Sequence, residues 1–491
     1  MSIAILNILE LNSDMQKCKN YINGQWIESS SGEVIEVNNP ATGKVIGEVS
    51  CAKQEEVDMA VDAALKAHNS RVLVDMPPME RATLMRTIAN ELRKVASDGG
   101  SLLCSENGKP LAGAIHEFND AANYFDYYSG LTDKLEGNTI PVNKTVIDYT
   151  LLEPYGVSAH IVPWNFPMSM LARSLAPAFA AGNATVIKTA ELTPLATADH
   201  FAQAIHNANV PAGLINIICG YGNEAGSMIT GHKDVSQVTF TGSVLTGKKI
   251  LHAAAERAIP AVVELGGKSA AVVFPDADLD KVVNAARGGI FGQAGQICSA
   301  MSRVVVHESV KDELVEKLAN MAKGLKVGDG HDDGVELTPL ISEQQLQKVE
   351  NYARSGQQAG ATAVAGGNRI DREGYFFEAT VFDDVKHDMT IAQEEIFGPV
   401  LSVLSYKDKE EAIHIANDTA FGLAAGVFTK DIDQATNTVN QLQAGQVYVN
   451  SWFTGSVATP FGGYKQSGYS REKGQEAIKG YLQVKNVGIQ L

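Results

Sequence analysis

A thiol and a carboxyl group, each beside glycine residues, stand out among the side chains suited to covalent chemistry. Cys298 lies in the segment GQICS over residues 295–299, and Glu264 precedes Gly266 and Gly267. A thiolate attacks carbonyl carbons, and a carboxylate can remove a proton from the thiol or from water. This pair predicts nucleophilic catalysis by Cys298, and the alternative is a buried, unreactive cysteine, which is commoner in proteins.

Two glycine-bearing segments follow predicted strands and open predicted helices. Residues 220–226 read GYGNEAG, one residue longer than the usual dinucleotide fingerprint, and residues 240–243 read FTGS. Backbone N–H groups and a hydroxyl at such a position can hold a pyrophosphate. A plain strand-to-helix turn explains either segment alone, whereas two in one sheet favour a dinucleotide.

Two charged residues follow the predicted strand 184–187. Lys188 and Glu191 lie where a doubly wound sheet binds its ligands. On charge alone each is more often a surface residue, and the strand end favours ligand binding. A carboxylate here can bind an adenosine ribose and repels a 2′-phosphate, so Glu191 favours NAD, and NADP stays the alternative.

Alternating apolar strands and helices predict the α/β class, with two doubly wound domains. The first unit has strands at 157–162, 184–188, 214–219, 237–240 and 261–264, with helices at 171–180, 193–208 and 247–258. The second has strands at 270–274, 302–306, 400–406 and 424–428, with helices at 279–291 and 310–325. Residues 55–128 show the apolar spacing of amphipathic helices.

The last residues have the pattern of an edge strand that lacks a partner in either sheet. Residues 481–490 alternate, and the strand-like segment 139–152 is their expected partner. These two segments predict a small β arm that joins subunits. Such an arm predicts a homodimer or homotetramer. The predicted domains are an NAD-binding domain (residues 1–138 and 157–266), a catalytic domain (267–459) and the arm (139–156 and 470–491). Residues 1–20 are expected to form a loose extension.

The composition excludes several classes of protein. The 491 residues hold 40 basic and 57 acidic side chains, a net charge of −17, which argues against nucleic acid as a partner. Hydrophobic residues make up 45%, and no run of about 20 apolar residues predicts a membrane span. Five widely spaced cysteines without a CxxC pair indicate a reducing, cytoplasmic setting and no structural metal.

Seven motifs stand in the order found in the NAD(P)-dependent aldehyde dehydrogenase superfamily, and the chain resembles that superfamily from about Tyr21 onward. They are PWNFP (163–167), KTAE (188–191), FTGS (240–243), ELGGK (264–268), GQICS (295–299), EEIFGP (394–399) and PFGGYKQSG (460–468). The family often has proline after the lysine of KTAE, where this chain has Thr189. Both polar ligands of that motif are retained.

The resemblance implies a role for each matching residue. Cys298 is the nucleophile, Asn165 and the Cys298 N–H form the oxyanion hole, and Glu264 activates the water that hydrolyses the thioester. Ser243 would bind the pyrophosphate and Glu395 the nicotinamide ribose. The implied NAD contacts are Trp164, Lys188, Glu191, Gly222, Gly226, Phe240, Ser243, Gly266, Glu395 and Phe397.

The aldehyde is less clear from the sequence. Arg173 replaces a tryptophan common in the family, so it can bind a distal carboxylate or form a structural ion pair. Gly292 replaces the second arginine of succinate semialdehyde enzymes. The resemblance implies a tunnel of Phe166, Met170, Arg173, Ile297, Ser299, Trp452, Phe453, Ser456 and Phe461, which suits a semialdehyde or a medium or aromatic aldehyde.

Two other functions compete with this prediction. One is a non-catalytic NAD-binding or structural homologue, and the other is a CoA-acylating aldehyde dehydrogenase. Cys298, Glu264 and Asn165 are all present, which favours an enzyme. Glu264 favours hydrolysis, because the acylating branch lacks the glutamate of ELGGK.

Overall fold

The first part of the chain combines short strands with four long helices. The computed structural model describes residues 15–491. The elements are β1 (Gln16–Cys18), β2 (Asn20–Ile22), β3 (Gln25–Ile27), β4 (Val34–Asn38), β5 (Val45–Ser50), α1 (Gln54–Asn69), α2 (Pro78–Lys94), α3 (Ala96–Asn107), α4 (Leu111–Ser129), β6 (Thr139–Asn143) and β7 (Val146–Pro154).

The structure places residues 16–18 of the predicted loose extension in a sheet. Strand β1 pairs in parallel with β5, and Cys18 is buried against Ile35 and Val49. Residues 16–18 therefore belong to a folded sheet because their apolar side has a small core to enter. The rest of the extension predicted for residues 1–20 lies mainly outside the described residues.

The helices predicted in residues 55–128 are present. Helix α1 buries Val57, Ala60 and Val61, and α2 buries Ile88 and Leu92, as the apolar spacing indicates. Within residues 15–491, the structure contains no helix that is both long and apolar enough to cross a membrane.

The first large sheet carries the predicted alternation of strands and helices. Its elements are β8 (Val157–Ile161), α5 (Pro167–Ala181), β9 (Ala184–Thr189), α6 (Ala202–Asn207), β10 (Ile215–Cys219), α7 (Ser227–Gly231), β11 (Gln237–Gly242), α8 (Val244–Glu256) and β12 (Ala261–Leu265). The strand order is β12-β11-β8-β9-β10-β2-β3, and β8 to β12 are parallel. Their carboxyl ends therefore share one edge, where such sheets bind ligands.

The helix predicted over 193–208 is helical over 195–207 in the structure but contains a π-helical turn. A π-helical turn, Thr197–Phe201, precedes α6. The buried Glu106 carboxylate accepts hydrogen bonds from the N–H groups of Leu195 (2.7 Å) and Ala196 (3.0 Å). This contact holds the residues before the turn, and the pattern of apolar residues does not reveal it.

The second large sheet is also mainly parallel. Its region contains β13 (Ala270–Val273), α9 (Leu279–Ala286), β14 (Arg303–His307), α10 (Glu308–Lys323), α11 (Glu343–Gln358), β15 (Thr362–Ala365), β16 (Thr380–Asp383), α12 (Thr390–Gln393), β17 (Val400–Tyr406), α13 (Lys409–Asn417), β18 (Phe421–Gly422), β19 (Ala424–Phe428), α14 (Ile432–Val439) and β20 (Gln446–Val449). The order is β15-β16-β17-β14-β13-β19-β20, with only β15 antiparallel to its neighbour. The predicted α/β class with two large sheets is confirmed.

The end of the chain forms the predicted arm sheet. After β21 (Tyr464–Lys465), strand β22 (Leu482–Gln490) pairs antiparallel with β7, from Leu482 opposite Pro154 to Gln490 opposite Val146. Strand β6 completes this sheet. Residues 470–481, predicted as arm, lie elsewhere, because Tyr128 Oη donates to Gly474 O at 2.9 Å and binds this segment to α4.

Candidate active site

The loop that carries Cys298 has a strained backbone. Three consecutive residues, Gln293, Ala294 and Gly295, have φ values of 49°, 51° and 71°. A Cβ on Gly295 would lie 2.1 Å from the carbonyl oxygen of Gly398, so only glycine allows this approach. The loop is therefore held against the EEIFGP segment, and such strain often occurs at functional sites.

The glycines after Glu264 bring three segments together. A Cβ on Gly267 would lie 2.6 Å from the carbonyl oxygen of Cys298, and one on Gly266 would lie 2.2 Å from Oε2 of Glu395. Glu264, the last residue but one of β12, has 1% of its surface exposed, and its Oε1 has no hydrogen-bond partner in the described part of the chain. The motif ELGGK thus places a buried, free carboxyl oxygen beside the thiol loop.

Asn165 lies just before α5 and is almost fully buried. Its Nδ2 donates a hydrogen bond to the carbonyl oxygen of Gln296 at 2.9 Å, which links it to the thiol loop. Its own carbonyl oxygen accepts hydrogen bonds from Lys109 Nζ at 2.8 Å and from Gln293 Nε2. The amide is therefore fixed, with one of its two N–H groups engaged by Gln296.

The lysine that donates to the carbonyl oxygen of Asn165 belongs to a buried ion pair. Lys109 pairs with Glu117, and both side chains are at most 3% exposed. Glu117 Oε1 also accepts hydrogen bonds from the N–H groups of Met168 (2.8 Å) and Ser169 (3.3 Å) in the first turn of α5. The sequence alone does not point to this pair, because neither residue lies in a motif that identifies its partner.

Burial sets the proton affinities at the site. Burial, followed by the charge of Glu264, raises the pKa of Cys298 to about 12, and Arg173 opposes this rise. Burial also raises the pKa of Glu264 well above its usual range, against the attraction of Arg173. Glu264 is thus a stronger base than an exposed glutamate, while the thiol needs help to lose its proton.

A cleft at the carboxyl ends of β11 and β12 reaches Cys298. It is lined by Trp164, Asn165, Ser243, Glu264, Gly266, Cys298, Glu395 and Phe397, and by Gln345 and Lys348, which the motifs do not indicate. Phe397 has a φ of 59°, and its ring meets that of Trp164 edge to face at 5.3 Å. Phe240 does not line the cleft, because its ring packs against Gly242, whose Cβ position is 2.6 Å from Phe240 Cζ.

The other predicted cofactor residues form a second group along the same edge. Lys188 Nζ lies 2.9 Å from Glu191 Oε2 at the end of β9. A Cβ on Gly222 would lie 3.9 Å from Lys188 Nζ, and one on Gly226 would lie 4.0 Å from Lys188 Cδ. The structure therefore brings these four residues together, outside the lining of the cleft around Cys298.

A cavity of about 490 Å³ reaches Cys298 as well. Of the predicted tunnel residues, Phe166, Met170, Arg173, Ile297, Ser299, Phe453 and Phe461 line it. Trp452 does not, since its Nε1 donates to the carbonyl oxygen of Ser299 at 3.1 Å and its ring lies behind that residue. Ser456 is exposed, and its Oγ accepts a hydrogen bond from Ala458 N.

Several cavity residues have no motif to indicate them. Helix α4 contributes a polar face, and Lys473 comes from the segment before β22; the residues are Lys109, Gly113, His116, Glu117, Asp120, Tyr124 and Lys473. The spacing 113, 116, 117, 120 and 124 fits one face of a helix. This spacing indicates that the residues share one face of α4. The sequence does not show that this face, and not another, lines the cavity beside Cys298.

Arg173 lines the cavity with its charge already paired. It is 4% exposed, forms an ion pair with the buried Glu472, and lies over the Phe461 ring at 4.5 Å. Burial alone would lower the pKa of Arg173, but the charges of Glu472 and Glu264 raise it above its usual value. These contacts favour the structural ion pair over the carboxylate-binding interpretation.

One further group of potential ligands, Cys104, Asp329 and His331, lies away from the cleft with its ligand atoms within 4.8 Å of one another. Cys104 Sγ donates to Lys109 O at 3.1 Å, and His331 N donates to Asp329 Oδ1 at 2.9 Å. His331 Nε2 lies 3.0 Å from Ser105 Oγ. Hydrogen bonds within the chain therefore account for this group.

The fold and the site define a class of enzyme. A parallel sheet with a ligand cleft at its carboxyl edge is typical of dinucleotide-dependent oxidoreductases. A thiol on the wall shared by that cleft and a second cavity is the arrangement expected when a covalently bound substrate reacts with a cofactor.

Comparison with known proteins agrees with this class. The sequence model described as "Aldehyde dehydrogenase family" matches residues 26–487. A mitochondrial benzaldehyde dehydrogenase of Antirrhinum majus is 42% identical over 475 residues, which cover 96% of this chain and 89% of the relative. A hydroxyisobutyraldehyde dehydrogenase of Mycolicibacterium austroafricanum is 40% identical over 473 residues, covering 96% and 93%.

A solved structure is similarly close. The NAD+ complex of an aldehyde dehydrogenase from Bacillus cereus superposes with a TM-score of 0.95 at 41% identity, and the match covers 97% of each chain. The chain belongs to the aldehyde dehydrogenase family. The predictions of family, of an aldehyde-oxidising oxidoreductase and of NAD as cofactor are confirmed. The relatives are named for different aldehydes, so the family identifies the reaction and not the aldehyde.

Proposed function

We propose that Cys298, Glu264 and Asn165 carry out NAD-dependent oxidation of an aldehyde to a carboxylic acid. The observation that supports this most strongly is the position of Cys298 on the wall of both the cofactor cleft and the aldehyde cavity. A nucleophile there can hold the substrate carbon at the boundary between the two. The buried Glu264 and the fixed Asn165 line the same cleft.

The residues of the cleft fit the nicotinamide end of NAD. Glu395 lies against Gly266 because no side chain fills the space between them, and its Oε1 accepts the Gly267 N–H at 3.1 Å. Burial raises the pKa of Glu395 to about 7, which suits a group that hydrogen-bonds to ribose hydroxyls. Glu395 would hold that ribose, and Phe397 and Trp164 would border the ring. When bound, NAD accepts the hydride that leaves the substrate carbon.

The adenosine end would lie along the same sheet edge. Lys188 and Glu191 would bind the adenosine ribose, with Gly222 and Gly226 leaving room beside the lysine. Ser243 would hold the pyrophosphate at the start of α8, where its Oγ already caps the N–H of Thr246. Phe240 supports this turn by packing against Gly242 rather than by contact with the cofactor.

The first covalent step forms a bond between Cys298 Sγ and the aldehyde carbon. The thiol first gives its proton to water, and the carbonyl electron pair moves to oxygen as the thiolate attacks. The free N–H of Asn165 Nδ2 donates to that oxygen. A preorganised donor of this kind contributes about 3 to 4 kcal/mol to stabilising the transition state. Because Lys109 and Gln293 hold the backbone of Asn165, its amide needs little reorganisation.

The second half of the reaction hydrolyses the thioester. Glu264 takes a proton from water, the water oxygen bonds to the acyl carbon, and the carbon–sulfur bond breaks to return the Cys298 thiolate. The raised pKa of Glu264 makes it a better base at neutral pH. Hydrolysis also distinguishes this proposal from the CoA-acylating alternative, in which a second thiol accepts the acyl group.

The proposal is tested with purified protein, NAD and a panel of aldehydes. We expect one NADH and one carboxylate for each aldehyde consumed, and a rate that does not depend on added CoA. Formation of acyl-CoA would support the acylating alternative. Absence of NADH with every aldehyde, together with tight NAD binding, would support the non-catalytic one.

We also propose the predicted domain division, with the arm limited to residues 139–156 and β22 and with residues 16–18 in a folded sheet, together with the oligomer and the cytoplasmic location. Residues 139–156 and β22 form a sheet with exposed apolar side chains at Ile140, Val142, Leu151 and Val484, which a second subunit could cover. All five cysteines are free thiols, as a reducing compartment favours. Sedimentation is expected to show a dimer or tetramer, and a stable monomer at micromolar concentration would contradict the proposal.

A further inference from the structure

The aldehyde cavity has a polar wall formed by helix α4 and Lys473. His116, Asp120 and Tyr124 lie at intervals of four residues, so they share one face of α4. Together with Lys473 they line the cavity that also contains Cys298. An aldehyde bound to Cys298 therefore has charged groups within the same cavity.

Lys473 differs from the other two cations of this cavity. Lys109 pairs with Glu117, and Arg173 pairs with Glu472, so their charges are neutralised inside the protein. Within residues 15–491, no carboxylate lies within ion-pair distance of the Lys473 ammonium group. The charges of Asp120 and Glu472 act on Lys473 from a greater distance. Asp120, on the same wall, accepts a hydrogen bond from Ser169 Oγ at 2.9 Å.

The backbone around Lys473 is fixed. Glu472 exchanges two hydrogen bonds of 2.7 Å with Phe461, and Gly474 O accepts the Tyr128 hydroxyl at 2.9 Å. Lys473 itself has a φ of 60°, a left-handed conformation that is costly for a residue with a side chain. The Cα atom of Lys473 is therefore held in one position on the cavity wall, between two hydrogen-bonded neighbours.

We propose that Lys473 binds a carboxylate at the far end of the aldehyde substrate, so that the substrate class is aldehydes with a terminal carboxylate. This rests on the proposed function, since it requires the aldehyde end to react at Cys298. Burial, aided by Arg173, lowers the pKa of Lys473 to about 8, so the ammonium group is still mainly protonated at neutral pH. A substrate carboxylate would replace the hydration that this ammonium group has partly lost.

The test compares matched substrates with three variants: Lys473→Met, Lys473→Arg and Asp120→Asn. The substrates are a series of aldehydes with a terminal carboxylate, their neutral methyl esters, and unsubstituted aldehydes of equal length. Lys473→Met is expected to lower kcat/KM for the carboxylates roughly tenfold or more, mainly through KM, and to leave the esters unchanged. Lys473→Arg is expected to restore most of the loss. Asp120→Asn removes a competing negative charge and is expected to raise kcat/KM for the carboxylates.

Lys479→Met is the matched control, because Lys479 is exposed in the same segment and pairs with Glu476. The inference is overturned if Lys473→Met lowers all substrates equally, which would show a structural role, or if the preference for carboxylates does not change. Oxidation of the neutral aldehydes by the wild type and by Lys473→Met supports the proposed function in either case. Failure of the wild type to oxidise any aldehyde would overturn that function itself.

Discussion

The cofactor cleft and the aldehyde cavity meet at Cys298, but they are built in different ways. The cleft lies at the ends of parallel strands, and glycines such as Gly266 let backbone and side chain approach closely. The cavity lies between α4, α5, the thiol loop and the segment before β22, and buried ion pairs hold its walls. The shape of the cleft depends on backbone geometry, whereas the shape of the cavity depends on ion pairs between residues that are distant in sequence.

This difference affects how many residues of the cleft and of the cavity can be substituted without loss of shape. The cleft depends on a few glycine-containing turns, such as Gly266, where a side chain would collide with neighbouring atoms. Its shape therefore tolerates few substitutions, which suits a cofactor that many enzymes share. The cavity wall consists of side chains on helices, which can change without moving the backbone. We therefore expect the cavity side to determine which aldehyde is used, and the reaction to depend on Cys298, where both sides meet.

The largest expected effect follows from replacing the residue that both regions share. Cys298→Ala removes the covalent step, and we expect kcat/KM to fall by about 10⁴-fold or more for every aldehyde. NAD binding, followed by quenching of protein fluorescence, is expected to persist because the cleft remains. Cys51→Ala, at a buried cysteine outside both regions, is the control. Turnover near the wild-type rate would exclude Cys298 as the nucleophile.

A smaller effect is expected on the cleft side from Glu264→Gln. Loss of the base is expected to slow steady turnover by about 10²- to 10⁴-fold while a burst of NADH formation remains, since hydride leaves before hydrolysis. Rapid-mixing absorbance measurements separate the two phases. Loss of the burst with NAD binding intact would contradict this division of roles.

The wild-type pH profile follows from the same two groups. Because burial raises the pKa of both Cys298 and Glu264, lowering the pH protonates them. For a neutral aldehyde, kcat/KM is expected to fall through Cys298, and kcat is expected to fall through Glu264, which acts after hydride transfer. Raising the pH increases the fraction of thiolate, so kcat/KM rises by at most tenfold per pH unit. A profile that falls as the pH rises above neutral, with the fold intact, would contradict these roles.

On the cavity side, Arg173→Met is expected to act through structure. It leaves Glu472 buried without a partner, which costs about 3 to 5 kcal/mol of the free energy of unfolding. Carboxylated and neutral aldehydes should lose activity together. The double variant Arg173→Met, Glu472→Met is expected to regain stability in denaturant unfolding. A selective loss for carboxylated aldehydes would instead show that Arg173 contacts the substrate.

The smallest effect is expected at Glu191, at the outer end of the cofactor site. This side chain is 37% exposed, so its repulsion of a 2′-phosphate is worth about 1 kcal/mol or less. Glu191→Ser is expected to raise kcat/KM with NADP about fivefold or less and to change NAD use little. Glu256→Ser, at an exposed glutamate of α8, is the control. An unchanged ratio of NAD to NADP use would show that Glu191 does not reach the ribose.

Most of the fold and the cleft could be predicted from the sequence, because their signals are local. Strands β17 and β19 have their predicted bounds, and the glycines of ELGGK stand beside Glu264. The cavity could not be predicted in the same way. Lys109 meets Asn165 across 56 positions, and Arg173 meets Glu472 across 299, so no spacing rule connects them.

The expected roles of Trp452 and Ser456 show the same limit. Both residues belong to the segment that also supplies Phe453 to the aldehyde cavity. The hydrogen bond from Trp452 to the carbonyl oxygen of Ser299 directs the indole away from the cavity, behind Ser299. Ser456 lies in a turn at the surface. Membership of the right segment does not determine which way a side chain faces, because that depends on its tertiary partners.

The partner of Arg173 has a consequence for the order in which the protein is made. Glu472 lies 299 positions after Arg173, so at about 5 to 20 residues per second it is synthesised about 15 to 60 s later. During that time α5 has a guanidinium group without its counter-charge, and the segment that carries Lys473 is still absent. The aldehyde cavity is therefore completed only after Glu472 and Lys473 have been synthesised. A nascent chain that ends before Glu472 cannot bury Arg173 as an ion pair with it.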